Sequence, residues 1–234
     1  MKIDILTKAL RRASTALLRD FHEIKHFKHD AARINNFITF SRERLINDII
    51  FECQRYFPEY KLVLSNEPNQ LEGQDSYIMF DAINGIDNMR NLSPFFGSTI
   101  LLSTLKNNQR INTGLMYFPC LDQICYGTAK DAWTEDTSSR RYRVELSSVN
   151  NLYSTDYITH ALLEMLNEQQ VHLESLRVVG SGAYALMLFL TRSAGKCILP
   201  KNDYLQNLLA ELFTASAGGV VQKGSMVNIY SHSA

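Results

Sequence analysis

The chain predicts an α/β protein made of two unlike parts, an α+β first half and an α/β second half. Three features of its 234 residues point there. Apolar residues recur at helical spacing up to Phe57. A strand-rich stretch follows from Ser98 to Tyr126. Beyond Thr155 the order changes to helix, strand, helix, strand.

Leu6, Ala9, Leu10, Ala13, Ala16 and Leu17 fall at i, i+3, i+4 spacing and predict an amphipathic helix. Leu45, Ile46, Ile49, Ile50, Cys53 and Phe57 repeat the pattern, with Ser41 as N-cap candidate and Pro58 as the stop. Lys61 to Ser65 predicts a strand that delivers Glu67 to its end, and Ser76 to Asp81 predicts the next. Asn107-Asn108 and Asp122-Gln123 supply turns within the strand-rich region, and Arg140 to Leu146 predicts one more strand. Thr155-Asp156 then caps a helix running to about Asn167. Leu176 to Gly180 predicts a buried strand, Ser181 to Arg192 a helix, and Asp203 to Ser216 the last helix. There is no internal repeat or low-complexity tract. The polar stretch from Thr134 to Arg143 suits a loop better than a boundary, so the halves, 1–147 and 148–234, are expected to form one compact unit.

Twenty-four basic and 24 acidic residues cancel, so no global field draws the chain to nucleic acid or an anionic membrane. The amphipathic N-terminus lacks the apolar core of a signal peptide, and Arg11-Arg12 lies within the periodic helix. The longest apolar run, Ala183 to Leu190, is too short to span a bilayer. A cytoplasmic protein without membrane association is expected. Cys53, Cys120, Cys125 and Cys197 form no CxxC pair and have no zinc-type spacing with histidine. A Cys120–Cys125 disulfide is conceivable, but free thiols in a reducing compartment fit better.

The segment with chemical content is Asp81-Ala82-Ile83-Asn84-Gly85-Ile86-Asp87-Asn88, together with Ser65-Asn66-Glu67 upstream. An apolar run, Tyr77-Ile78-Met79-Phe80, ends in a carboxylate, followed by a backbone carbonyl, an amide side chain and a glycine that can open a helix. Carboxylate, carbonyl and a second acid at a strand end are what a hard cation requires, and here Asn84 stands in the second acid's place.

This segment resembles the inositol monophosphatase family, including its bacterial SuhB-like branch. The family pattern is Asp-Pro-Ile-Asp-Gly-Thr after a Glu-Glu pair. Asp81, Ile83, Gly85 and Glu67 match it, while Ala82, Asn84 and Ile86 replace Pro, Asp and Thr. Later blocks resemble the family in the same order: Gly114-Leu115-Met116-Tyr117-Phe118-Pro119 with Leu121-Asp122 and Tyr126, then Ala132-Trp133, Arg177 to Ala183, and Ala217-Gly218-Gly219. The resemblance implies a layered α-β-α-β-α sandwich and a homodimer. It implies magnesium held by Glu67, Asp81 and the Ile83 carbonyl, with Glu67 and Asp81 as catalytic acids. Substrate, a small phosphate monoester, would meet Asn84, Gly85, Ile86, Asp87 and Ser181, with main-chain amides after Gly85 gripping the phosphate.

Four substitutions reduce that implied site. Asn84 keeps an oxygen but loses the charge, and Ile86 has no hydroxyl to orient water. The family's late Trp-Asp falls on Leu205-Gln206, so the late acid becomes Gln206, unless Asn207 or Asp203 serves in a shorter loop. The family's Thr-x-x-Asp falls on Thr39-Phe40-Ser41-Arg42, which puts Arg42 where an acid is usual. Asp87 offers a replacement charge, or simply favours a helix N-terminus. The resulting expectation is a magnesium ion held weakly at one site or none, and phosphomonoesterase activity impaired or lost. The SuhB-like branch then implies a regulatory or binding role with RNA polymerase or a transcription factor. The alternative is an active magnesium-dependent inositol or sugar phosphate phosphatase with altered ligands.

Other groups carry less. His22, His26 and His29 share rough helical spacing, which suits a polar helix end better than a metal site. Arg140, Arg141 and Arg143 suit a solvated strand face, and Tyr184 to Phe189 suits core.

Overall fold

The computed structural model describes residues 2–27, 30–71, 73–138, 140–146, 152–158, 160–168, 175–224 and 226–232. The chain opens with α1 (Lys2–Ile24) and, after one 3₁₀ turn, α2 (Ala31–Tyr56). Each helix turns one apolar stripe inward: Leu6, Leu10 and Leu17 from α1, and Ile38, Leu45 and Ile49 from α2. The stripe of α2 starts earlier than expected, at Ile34, and its cap is Asp30, which accepts the Arg33 N–H at 3.0 Å. The expected cap at Ser41 is therefore wrong. Ser41 lies within the helix and donates to the Phe37 carbonyl at 2.9 Å.

Seven strands follow in chain order across one sheet: β1 (Lys61–Leu64), β2 (Ser76–Asn84), β3 (Gly97–Lys106), β4 (Gln109–Phe118), β5 (Gln123–Thr128), β6 (Ala132–Glu135) and β7 (Arg141–Arg143). β1 is parallel to β2 and every other pair is antiparallel. β3 and β4 meet at Asn107-Asn108, both with positive φ, as a two-residue hairpin turn requires. β2 runs beyond its expected end at Asp81 to Asn84, with a shift of register between those residues. The short helix α3 (Ile86–Arg90) comes next in the chain after β2.

The second sheet contains β8 (Tyr153–Thr155), β9 (Leu176–Val178), β10 (Lys196–Pro200), β11 (Gly219–Lys223) and β12 (Val227–His232), in the order β11-β12-β10-β8-β9. β8 is parallel to both β9 and β10, and β12 is antiparallel to β10 and β11. The helices of this half are α4 (His160–Glu168), α5 (Gly182–Leu190) and α6 (Tyr204–Ser216). Three expectations change here. Thr155 ends a strand instead of capping a helix, and α4 starts at His160. β9 is an edge strand with Arg177 and Val178 exposed, not a buried one. The strands β10, β11 and β12 were not anticipated individually. The expected division at 147/148 lies outside the described residues.

Alternation along the strands sorts the layers. Ile78 and Phe80 of β2 face α1 and α2, whereas Tyr77 and Met79 face α5 and α6. The second core also takes Cys197, Leu199 and Tyr230 from the second sheet. On that sheet's other face, Tyr153, Ile198 and Ile229 meet Leu162 and Leu166 of α4. Helix pair, sheet, helix pair, sheet and helix make five layers. The four cysteines are free thiols, and burial pushes the Cys120 thiol up to about 11. Among the described residues, no helix is long and apolar enough to cross a membrane.

Candidate functional site

Both sheets send strand ends to one cleft of about 300 Å³. Ser65 and Asn66 come from the turn after β1, Asp81 and Asn84 from the end of β2, and Asp156 and Tyr157 from the turn after β8. Pro200 ends β10, and Asn202, Asp203 and Tyr204 lead into α6. Ligand sites of layered α/β folds collect at carboxyl ends of strands for this geometric reason. Among the described lining residues there are three carboxylates, three side-chain amides and two tyrosines, but no lysine, arginine or histidine.

Asn84 has both ends of its amide engaged. Its Oδ1 accepts the Ala183 N–H at 2.9 Å and the Ser181 hydroxyl at 2.8 Å. Its Nδ2 donates to Asp81 Oδ2 at 3.2 Å. The orientation follows from chemistry, because a backbone N–H can only donate and so must face the oxygen. The NH₂ group is therefore fixed on the Asp81 carboxylate. Ser181 is buried and committed: besides donating to Asn84, its hydroxyl caps α5 by accepting the Tyr184 N–H at 3.1 Å.

Gly85 takes φ 83°, the left-handed region. A Cβ there would lie 2.8 Å from Ser181 Cβ and 2.9 Å from the Phe95 carbonyl oxygen, so only glycine fits. Asn88 continues the contact, donating from Nδ2 to the carbonyls of Phe95 and Val179, each at 2.7 Å. Gly180 seats against it, since a Cβ at Gly180 would meet Asn88 Oδ1 at 2.7 Å.

Three carboxyls carry raised proton affinities. Burial raises Asp203 to about 7, with Asp81 and Asp156 adding repulsion and the Gln206 N–H opposing. Burial raises Asp156 to about 6, with Asp87 adding to it. Asp81 is raised by burial against the opposing Asn84 amide, the charge of Arg42 on α2, and the Ile83 N–H. The acids thus feel one another across a poorly solvated space. They do not close on a point: among the described residues, no three His, Cys, Asp or Glu side chains lie close enough to hold a metal ion.

The expected site residues separate on this frame. Asp81 and Asn84 line the cleft. Glu67 is absent from the lining; its exposed carboxylate accepts from Gln70 Nε2 at 2.6 Å. The Ile83 side chain is buried in the first core, and it is the Ile83 N–H that meets Asp81. Ile86 packs partly buried against the same core. Asp87 is exposed and paired with Arg90 one turn on, so it reaches the cleft only as charge felt by Asp156. Gln206 is buried, with Nε2 3.4 Å from Thr99 Oγ1, the cross-strand partner of Asp81. Asp203, at the first position before α6, supplies the late acid of the cleft instead. Asn207 is turned toward Pro200, Asn228 and Tyr230.

Sequence reasoning misses Asp156 as a site residue because Thr155-Asp156 reads as a helix cap. The available signal was an acid directly after the short strand-forming run Leu152-Tyr153-Ser154-Thr155, the arrangement that made Asp81 conspicuous. Elsewhere, His22 and His26 are exposed and His29 lies outside the described residues. Arg141 pairs with Glu135 at 3.2 Å and Arg143 with Asp131 at 3.0 Å on an exposed strand.

No family model matches the chain, and no curated protein matches it significantly. Solved structures do. The extragenic suppressor protein SuhB of Bartonella henselae superposes with a TM-score of 0.69 at 15% identity, covering 98% of this chain and 92% of that one. An IMPase of Thermotoga maritima gives 0.69 at 16%, covering 99% and 92%. CysQ of Bacteroides thetaiotaomicron, a bacterial member of the inositol monophosphatase family, gives 0.71 at 12%, covering 97% and 96%. The fold is that of the inositol monophosphatases. At these identities the likeness is one of fold, and the chemistry must be judged on this chain's own cleft.

The magnesium that the family resemblance implies can be tested against these residues. The Glu67 carboxylate is held by Gln70, the Asn84 oxygen is committed to α5, and the Asn84 NH₂ stands on Asp81. As arranged here, Glu67, Asp81 and Asn84 do not fit that ion.

Proposed function

We propose that this is an inositol monophosphatase-fold protein whose phosphomonoesterase activity is impaired or lost and whose cleft serves binding. The observation that carries the proposal is the Asn84 amide, whose N–H group faces Asp81 where a second carboxylate would be needed. Turning the amide over would set its NH₂ against the Ala183 N–H, two donors face to face, so the arrangement does not relax by rotation. Ile86 adds to the deficit, because it has no hydroxyl with which to orient a water. A phosphate monoester or a transcription protein such as RNA polymerase is the partner this reading expects, with the protein acting as a homodimer in the cytoplasm.

Hydrolysis of inositol 1-phosphate and related monoesters in excess magnesium tests the proposal. Release of phosphate should stay near background and should not respond to Asp81→Asn. Turnover on the order of 1 to 1000 per second, abolished by Asp81→Asn, contradicts it.

A second reading has its own observation. Asp156 and Asp203 share the cleft with Asp81, and their proton affinities show that they feel nearby charge. In this reading the protein is an active magnesium-dependent phosphatase with altered ligands, in which those two acids do the work of the missing ones. It requires activity that Asp203→Asn and Asp156→Asn each remove.

A further inference from the structure

We infer that the outer face of the α1–α2 helix pair binds single-stranded nucleic acid, independently of the cleft. The chain's zero net charge is unevenly divided. Its first 56 residues carry 11 basic and 7 acidic side chains, a net of +4, and the rest carry 13 and 17, a net of −4. Two of those seven acids are already committed within the helix layer. Asp20 is buried and paired with Arg44, and Asp30 caps α2. A positive field therefore lies over this layer although the whole chain has none.

The cations stand in rows. On α1, Lys8, Arg12 and Arg19 are exposed at spacings of four and seven, which keeps them on one face. On α2, Arg33, Phe40, Arg44, Phe51 and Arg55 alternate at spacings of seven and four, again on one face. The Arg44–Asp20 pair turns this second row toward α1, so the two rows flank one groove. Phe40 is 60% exposed and Phe51 65%, so neither ring is spent on the core. Eleven residues of helix set them about 16 Å apart along the groove.

At one end the groove deepens into a cavity of about 640 Å³ between the end of α1, the 3₁₀ turn and the start of α2. Phe27, Phe37 and Phe40 wall it. Phe27 and Phe37 meet edge-on at 5.0 Å, and the Arg33 guanidinium lies 4.3 Å from the centre of the Phe27 ring. Glu23 and Asn36 add polar groups to the same lining. Arginines that follow phosphates, rings on which bases stack, and an aromatic cavity with an amide and a carboxylate for a base edge suit an unpaired strand. A duplex keeps its base faces covered and has no use for the rings. An anionic bilayer suits the face less, because Glu23 and Asp30 rim the cavity with charge of its own sign.

A labelled oligouridylate of about 12 nucleotides, titrated with the full chain and followed by anisotropy, tests the inference. Affinity should fall as salt rises from about 50 to about 200 mM, because phosphate contacts release counterions. Phe40→Ala and Phe51→Ala should each weaken binding about fivefold or more at fixed salt, the loss of one stacked base. Phe51→Tyr keeps a ring and should bind like the wild type. Arg12→Gln combined with Arg19→Gln should flatten the salt dependence, each lost contact removing about 0.7 from the log–log slope. Absence of binding at the lower salt overturns the inference. So does binding that both alanine variants leave unchanged, or a duplex held as tightly as the single strand, for then charge alone holds the polyanion. Co-sedimentation with phosphatidylserine–phosphatidylcholine vesicles but no oligonucleotide binding would assign the face to a membrane instead. All the substituted residues lie outside the cleft lining, so the reading of the cleft stands or falls separately.

Discussion

Asn84 is bonded on both sides, and removing it exposes each side differently. Asn84→Ala strips an acceptor from the Ala183 N–H and from Ser181, and a donor from Asp81. A loss of about 1–3 kcal/mol in urea denaturation is expected, the range for leaving buried polar groups without partners. The carboxyls make a pH prediction. Asp156 is raised from 3.8 to about 6 and Asp203 from 3.8 to about 7, both chiefly by burial. Each binds its proton more tightly folded than unfolded, so the native state carries more protons through that window. Stability must then fall as pH rises from 3.8 toward about 7, and level off above it. Urea midpoints across that range should decline in the wild type and decline less steeply in Asp203→Asn, which keeps the Asp156 contribution. A midpoint that climbs with pH through the window would show the acids to be paired, not repelled. The residue scale is also where sequence reading failed most. Glu67 and Gln206 occupy family positions, yet one points to solvent beside Gln70 and the other packs under Thr99. Alignment identifies a position; it does not say which way a side chain turns.

The turn joining β2 to α3 and the turn entering α5 interlock as elements. Asn84 and Asn88 reach across to Ala183 and Val179, and Gly85 and Gly180 let the two backbones approach. The clasp predicts that Asn88→Ala costs about 1–3 kcal/mol by leaving the Phe95 and Val179 carbonyls unpaired. A loss below a few tenths of a kcal/mol, measured by the same denaturation, would mean that water replaces the side chain freely. Gly85→Ala should be harsher, since it adds left-handed strain of about 1–3 kcal/mol to two close contacts. Elements with a long one-sided period, such as α1 and α6, were legible because many residues repeat the same signal. Ser41 misled because a capping residue type inside a helix can bond back to the preceding turn. The run at Thr155 misled because three residues of strand are too short to show alternation.

Across the whole molecule, five alternating layers bury one core on each side of the seven-stranded sheet and a third beyond the second sheet. The layered fold was legible through the ordered blocks that resemble the family, whereas β10 was not, because it pairs with β8 and β12, both distant in the chain; β11 and β12 pair locally as a hairpin. The same architecture brings the ends of β1, β2, β8 and β10 to one cleft, a convergence that no local pattern contains. The cleft then holds acids from both halves and sets the Asn84 amide donor against Asp81. Calorimetric titration with magnesium, run on fresh wild-type protein and on Asn84→Asp, tests that claim most directly. The account predicts weak or undetectable binding in the wild type and one new site in the variant. Two or more ions held tightly by the fresh wild type would contradict it.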